Sequence, residues 1–218
     1  IAQYIMLNKP KGFVTATDIS NVSIQNAIQK WLILVILKNG LGASSDSKLT
    51  QMRKVVADNI GDFPADILNR ELRIEQSFND NEIDDLLKTN YGTKYSYLIL
   101  SLLYPGRDWK DRVFNEDHIF PQTEFQMRKL KAREYDDEKI CLYQAYYNSI
   151  YNLELLDDSE NKSKNAKPFD EWLLTRDANF KQRHLIPDMD NYDFDHFLDF
   201  VEKRRKLLVK QIKKVVED

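Results

Sequence analysis

The stretch Arg112-Val113-Phe114-Asn115-Glu116-Asp117-His118-Ile119-Phe120-Pro121 decides the fold, because it breaks into a chain that otherwise reads as helices. It has no 3- and 4-residue apolar spacing and so no helical period. A second stretch, Tyr151 to Leu156, is short and apolar. Upstream, Ser23 caps a helix carrying Ile24, Ile28, Trp31, Leu32, Val35 and Ile36, ended by Asn39-Gly40. Gly42 to Ser47 reads as a polar loop. Asp46 or Ser47 caps a second helix through Leu49, Met52, Val55, Val56 and Ile60, which Gly61 stops. Phe63-Pro64 opens a third segment, Asn79 to Lys88 a short helix, and Tyr95 to Leu103 a buried helix stopped by Pro105-Gly106.

Downstream of that stretch, helical spacing returns over residues 124–150 (Phe125, Leu130, Ile140, Leu142, Tyr146, Ile150). Residues 157–167 are polar and turn-rich. From Asp193 the chain reads as a long amphipathic helix with Phe194, Phe197, Leu198, Val201, Leu208, Ile212 and Val215 on one stripe. The expected division is a helical layer over residues 1–108 and a second domain over 109–218.

Composition narrows the function classes. Of 218 residues 42% are apolar and 11% aromatic, which excludes wholesale disorder. Cys141 is the single cysteine, so a disulfide within the chain and a cysteine-based zinc site are both excluded. The longest apolar run, Trp31 to Leu37, falls far short of the about 20 residues that span a bilayer. No secretory signal stands out, and the default compartment is a reducing cytoplasm. The chain begins at Ile1, which suggests a piece of a longer or processed protein. The net charge of −3 speaks neither for nor against nucleic acid. Two local basic patches do bear on it: Arg128, Lys129, Lys131 and Arg133, and the run of lysines and arginines from Lys203 to Lys214. A charged helix face is commonly just solvated; phosphate binding is the alternative, and the patch at 128–133 is the preferred DNA contact.

The chain has three histidines, His118, His184 and His196. His118 stands in Asp117-His118-Ile119-Phe120-Pro121. It is followed by Asn152-Leu153-Glu154-Leu155-Leu156 and then Glu160-Asn161-Lys162-Ser163-Lys164. Each motif alone is near chance; the three in this order are more specific. The set resembles the His-Asn-His (HNH) nucleases of the ββα-metal class. More narrowly, it is similar to the domain closing the GmrSD-type modification-dependent restriction proteins. There, His-x-x-Pro precedes Asn-Leu-x-Leu-Leu and Glu-Asn-x-x-Lys. The approach from Tyr97 to Pro105, and Trp172, also fit the resemblance, as do Phe63-Pro64 and the Arg204-Arg205 tail more loosely. Two departures stand out. The segment between the two strands that the resemblance implies is long and helical, which reads as an insertion flanking the cleft. No second histidine lies near Asn161, which favours Mg²⁺ or Mn²⁺ over Zn²⁺.

The resemblance implies roles that chemistry supports. A neutral imidazole can take a proton from water at working pH, the task of His118 as general base. Asp117 offers an anionic oxygen and Asn161 an amide oxygen, a donor pair that suits a cation retaining much of its water. Asn152 is expected to hold the loop bearing His118 through backbone hydrogen bonds, and Lys164 to contact phosphate. Each has a plainer reading. A lone histidine is most often structural, an asparagine in a polar turn is common, and Lys164 can be a solvated surface lysine. His184 and His196 read as structural or surface residues, and Cys141 as a buried helix residue.

The expectation is a mainly α protein with a small ββα-metal (HNH) nuclease motif inserted among helices. Its expected activity is Mg²⁺- or Mn²⁺-dependent DNA cleavage. The setting is bacterial, cytoplasmic defence by modification-dependent restriction, with a nucleotide-dependent domain upstream. The alternatives are a non-catalytic DNA-binding or interaction module on the same scaffold, and an RNase.

Overall fold

Helix starts are written into the local sequence. In the computed structural model, which describes residues 1–10, 13, 19–40, 45–75, 77–104 and 112–217, several helices begin at an acid or amide side chain that accepts from the first-turn backbone. The chain divides into two units, Ile1–Ser77 and Phe78–Asp218.

The first unit holds α1 (Ala2–Asn8), α2 (Ile19–Leu37), α3 (Ser45–Asp58) and α4 (Ala65–Leu72). Its core gathers Tyr4, Ile28, Trp31, Val35, Val55, Val56, Phe63, Leu68 and Leu72. Phe63 sits edge-on to both Tyr4 and Trp31. The indole of Trp31 donates to Asn69 Oδ1 at 2.9 Å, so the polar edge of a buried ring is satisfied. Gly61 turns the chain at φ +114°, a conformation that disfavours a side chain. Tyr4 donates its hydroxyl to the Gly61 carbonyl at 2.6 Å, and Gly61 N–H donates to Asn8 Oδ1 at 2.7 Å.

The second unit runs α5 (Asp80–Leu87), α6 (Ser96–Leu103), β1 (Phe114–His118), α7 (Met127–Ala132), α8 (Asp137–Tyr146), β2 (Leu153–Asp157), α9 (Asp158–Lys164), α10 (Phe169–Leu173), α11 (Phe180–Arg183) and α12 (Phe197–Glu217). Asn79 and Glu82 form a reciprocal capping box on α5. Strands β1 and β2 pair antiparallel, with Phe114 opposite Asp157 and His118 opposite Leu153. Helix α9 follows β2 directly and packs on both strands, so the order is strand, strand, helix. Helix α12 buries Phe197, Phe200, Val201, Leu208 and Ile212. Phe120, two residues past β1, meets Phe169, Phe197 and Phe200 at ring separations of 5.0–5.3 Å.

Arg204 is the polar residue on the buried face of α12, and it is fully buried. It donates to the carbonyls of Tyr151 (2.8 Å), Leu153 (2.9 Å) and Leu185 (3.2 Å), and to the Tyr104 hydroxyl (3.2 Å). The guanidinium thereby satisfies backbone acceptors on either side of Asn152 that no water can reach.

The structure moves several sequence boundaries. The division falls after Ser77, not at residue 108, because α5 and α6 pack on α12. Residue 108 itself, the Pro105-Gly106 stop, and Gly42 and Ala43 of the loop before α3 lie outside the described residues. Helix α2 starts at Ile19, ahead of Ser23. The segment 124–150 is two helices rather than one, since Asp136 restarts the helix by accepting from Lys139 N–H at 2.7 Å. The region read as a turn-rich stretch at 157–167 contains α9. Asp157 caps it, accepting from Glu160 N–H at 2.9 Å, with acids in its first turn and lysines in its last. Phe194 belongs to a 3₁₀ turn before α12. Cys141 is helical but exposed. Among the described residues no helix is long and apolar enough to cross a membrane.

Arg204→Met keeps the stem but strands three buried carbonyls, each costing about 1–3 kcal/mol. The second unit should lose at least about 3 kcal/mol, read as faster hydrogen exchange at the amides of β2 under mild urea. Unchanged protection there would show that the guanidinium carries no stability.

Candidate functional site

In the β1–β2 register Asp117 stands opposite Glu154. Cross-strand partners share a face of the sheet, so two carboxylates lie side by side beneath α9. Lys164, the last residue of α9, is fully buried against them. Its ammonium donates to Asp117 Oδ2, to the His118 carbonyl and, at 3.2 Å, to Glu154 Oε1. The other Glu154 oxygen lies 2.8 Å from His184 Nδ1. Burial pushes the Glu154 carboxyl up, but Lys164, His184 and Arg204 outweigh it and hold the group at about 2. For Asp117 burial wins over Lys164, and its carboxyl is raised above the usual range.

Asn152 is also fully buried and ties the turn after His118. Its Oδ1 accepts from Phe120 N–H at 2.9 Å, and its Nδ2 donates to the carbonyls of Phe120 (3.0 Å) and Tyr147 (2.8 Å). Ile119 N–H adds a bond to the Asn152 carbonyl at 2.7 Å. One side chain thus makes three bonds to backbone and fixes where β1 ends. The expected backbone clamp is present.

His118, the last residue of β1, is buried to 8% exposure. Its Nε2 lies 2.9 Å from Asn148 Oδ1, and the Tyr91 ring lies 4.8 Å from the imidazole. Burial pushes the imidazole below its ordinary value, against the opposing pull of Asn148 and Asp117. Adjacent residues in a strand face opposite ways, yet at the strand end both Asp117 and His118 reach one cleft. That cleft, about 500 Å³, is lined by Asp117, His118, Pro121, Gln122, Thr123, Asn161, Lys162, Asn165 and Ala166. It therefore brings Asn161 to the adjacent pair Asp117-His118, from which it is distant in sequence.

Two expectations about basic residues need correction. Lys164 is neither a phosphate contact nor a solvated lysine: its amine is spent on Asp117, His118 and Glu154 in the interior. The patch at 128–133 is partly neutralised. Lys129 pairs with Glu124 at 2.6 Å, and Arg133 with Glu124 at 3.2 Å and Asp195 at 3.4 Å. Arg128 and Lys131 are exposed, and neither carries an ion pair among the described residues. None of the four lines the His118 cleft. Arg133 lines a smaller neighbouring cleft of about 280 Å³ alongside Glu124, Asp193 and Asp195. In the C-terminal run Arg204 is internal, while Arg205 and Lys213 pair with Asp84 and Asp80 of α5. His196 is half-buried beside Asp193, and His184 is buried.

Sequence reading missed Asn148, Glu154, His184 and Arg204. A glutamate amid Leu153, Leu155 and Leu156 does signal a buried charge that needs a partner. Asn148 carries no such signal, since its partner lies 30 residues away.

Among the described residues no three His, Cys, Asp or Glu side chains stand together as a metal-binding group. The cleft's own donors are of another kind. Asp117 commits Oδ2 to Lys164, and its Oδ1 has no hydrogen bond among the described residues. With Asn161 it offers hard oxygen donors, which fit a cation that keeps several waters. No protein-family profile matches this chain, and no curated protein matches it in sequence.

The depressed Glu154 carboxyl predicts an acid-sensitive fold. It titrates at about 2 when folded against 4.5 in its ordinary state, so its contribution is complete above 4.5 and fades as pH falls towards 2. Glu154→Gln should lower stability at neutral pH and flatten the stability–pH curve across that window. Urea denaturation over the same range reads it; a parallel curve for the variant would refute the assignment.

Proposed function

We propose that this chain is a metal-dependent endonuclease that hydrolyses DNA phosphodiesters. The observation that carries the reading is the convergence of Asp117, His118 and Asn161 on one cleft at the end of a strand–strand–helix unit. The sequence resemblance to HNH nucleases of GmrSD-type restriction proteins points the same way and adds the bacterial defence setting.

In this reading His118 is the general base that takes a proton from the attacking water. Its burial favours the neutral, proton-accepting ring. Asp117 and Asn161 would hold Mg²⁺ or Mn²⁺, which when bound supplies positive charge for the phosphate and the leaving oxygen. Asn152 acts through the backbone, keeping the turn of His118 to Phe120 in one conformation. Lys164 holds Asp117 from behind and locks α9, and with it Asn161, against β1. Arg128 and Lys131 on the insertion are exposed cations open to a DNA backbone, while Lys162 lines the cleft but pairs with Asp158.

One observation favours a second reading. The Lys164 ammonium already balances the Asp117 charge, as a scaffold without a metal would require. A non-catalytic DNA-binding module would keep this pair and cleave nothing.

Incubation of supercoiled plasmid with the chain and Mg²⁺ or Mn²⁺ separates the two. Nicking or linearisation is expected, abolished by a chelator and reduced about 10²–10⁴-fold in His118→Ala. DNA binding without cleavage favours the module, and faster cleavage of RNA than of DNA overturns the substrate assignment. Arg128→Glu with Lys131→Glu should weaken DNA binding and lower the slope of log K against log[salt] by about 0.9 for each phosphate no longer neutralised. An unchanged slope would place the DNA on another face.

A further inference from the structure

Nothing in the HNH-like motifs points to Asn148, yet its side chain meets the imidazole directly. Oδ1 of Asn148 stands 2.9 Å from Nε2 of His118. An amide oxygen can only accept, so the proton of that bond belongs to Nε2. A neutral imidazole carries one N–H, and Nδ1 then holds the lone pair.

Asn148 is itself held in place. Its carbonyl accepts from Tyr91 N–H at 2.7 Å. The preceding carbonyl, of Tyr147, accepts from Asn152 Nδ2, and the following residue, Ser149, bridges to Asn90. Ile150 N–H closes the junction on the Thr89 carbonyl at 3.1 Å. The Tyr91 ring, on the segment so fastened, packs against the imidazole at 4.8 Å, tilted by 48°. Two separate segments, 89–91 and 147–150, therefore clamp the ring at one nitrogen and across one face.

We propose that Asn148 is a positioning residue that holds His118 in its Nε2–H tautomer and leaves Nδ1 as the proton-accepting nitrogen. This deepens the nuclease reading and rests on it for its catalytic consequence. In the reaction, Nδ1 takes a proton from water as the water oxygen bonds to phosphorus. The phosphorus bond to the leaving oxygen breaks, and that oxygen takes a proton from solvent. The imidazolium keeps its Nε2–H on Asn148 and returns the Nδ1 proton to water. With no acceptor at Nε2 the ring can rotate or change tautomer, and part of the population presents no lone pair to the cleft.

Long-range ¹H–¹⁵N correlation spectra of the full chain read the tautomer directly, because a protonated ring nitrogen resonates far upfield of a bare one. His118→Ala assigns the signals. Above the ring's titration, Nε2 of His118 should appear protonated and Nδ1 bare. In Asn148→Ala the two should move towards averaged positions, and Asn148→Asp, which restores an acceptor, should return them. On plasmid DNA, Asn148→Ala should lower kcat about 10–100-fold, in the range seen when an orienting partner is removed. KM should stay within about twofold, and Asn148→Asp should recover most of the activity. A wild-type ring protonated at Nδ1 overturns the proposal, whether or not any variant folds. So does a folded Asn148→Ala with unchanged spectrum and kcat. If the expected tautomer is seen but wild type and His118→Ala cleave nothing, the nuclease reading fails and the tautomer assignment stands.

Discussion

The Lys164 ammonium, buried between two cross-strand carboxylates, is the interaction on which the candidate site depends. A lone ammonium in the interior would cost several kcal/mol. Asp117, Glu154 and the His118 carbonyl together replace its water. The arrangement is demanding, because it needs one register. A slip of one residue between β1 and β2 would turn Asp117 to the opposite face and leave the ammonium with one anion. The ion group therefore specifies the sheet as much as it stabilises it. It also brings α9 down on the strands, which carries Asn161 to the same cleft as His118.

Around that group the fold spends polar side chains on backbone rather than on solvent. Asn152 ties the turn at Phe120, and Arg204 ties the carbonyls on either side of Asn152. Phe120, between them, is locked in an aromatic cluster with Phe169, Phe197 and Phe200. The end of β1 is thus held by its main chain and by the side chain just beyond it. A proton-transferring group needs such fixity, since its geometry must not drift between the ground state and the transition state. His118 has it on three sides: the strand, the Asn148 amide and the Tyr91 ring.

Much of the secondary structure was legible locally. Asn79 with Glu82 is a signal of a few adjacent residues, and α5 begins there; the second helix was legible too, though α3 already includes Asp46 and Ser47 and ends at Asp58, short of Ile60 and Gly61. The two stretches that form the strands were legible as a break in helical spacing and a short apolar run, and their pairing only through the resemblance. Helix α9 was not: its sequence, Asp-Ser-Glu-Asn-Lys-Ser-Lys, has turn composition, and it is helical because Asp157 caps it and Lys164 anchors its far end. In the site, the clamp of Asn152 was anticipated from its motif. The burial of Lys164 was not, because a lysine in a polar stretch looks the same whether its partner is water or a carboxylate 47 residues away.

By itself the sequence determined the helix-rich class, the two stretches around His118 and Asn152 that interrupt it, and the short list of residues able to do proton or metal chemistry. Those follow from periodicity, capping and side-chain type, which act over a few residues. Only the tertiary structure decided where the chain divides, which lysine is interior, which cations of the 128–133 patch are already paired, and that Asn148 faces the imidazole. These are contacts between segments distant in sequence. They are set by the register of β1 on β2 and the seating of α9 and α12, and no local pattern encodes them.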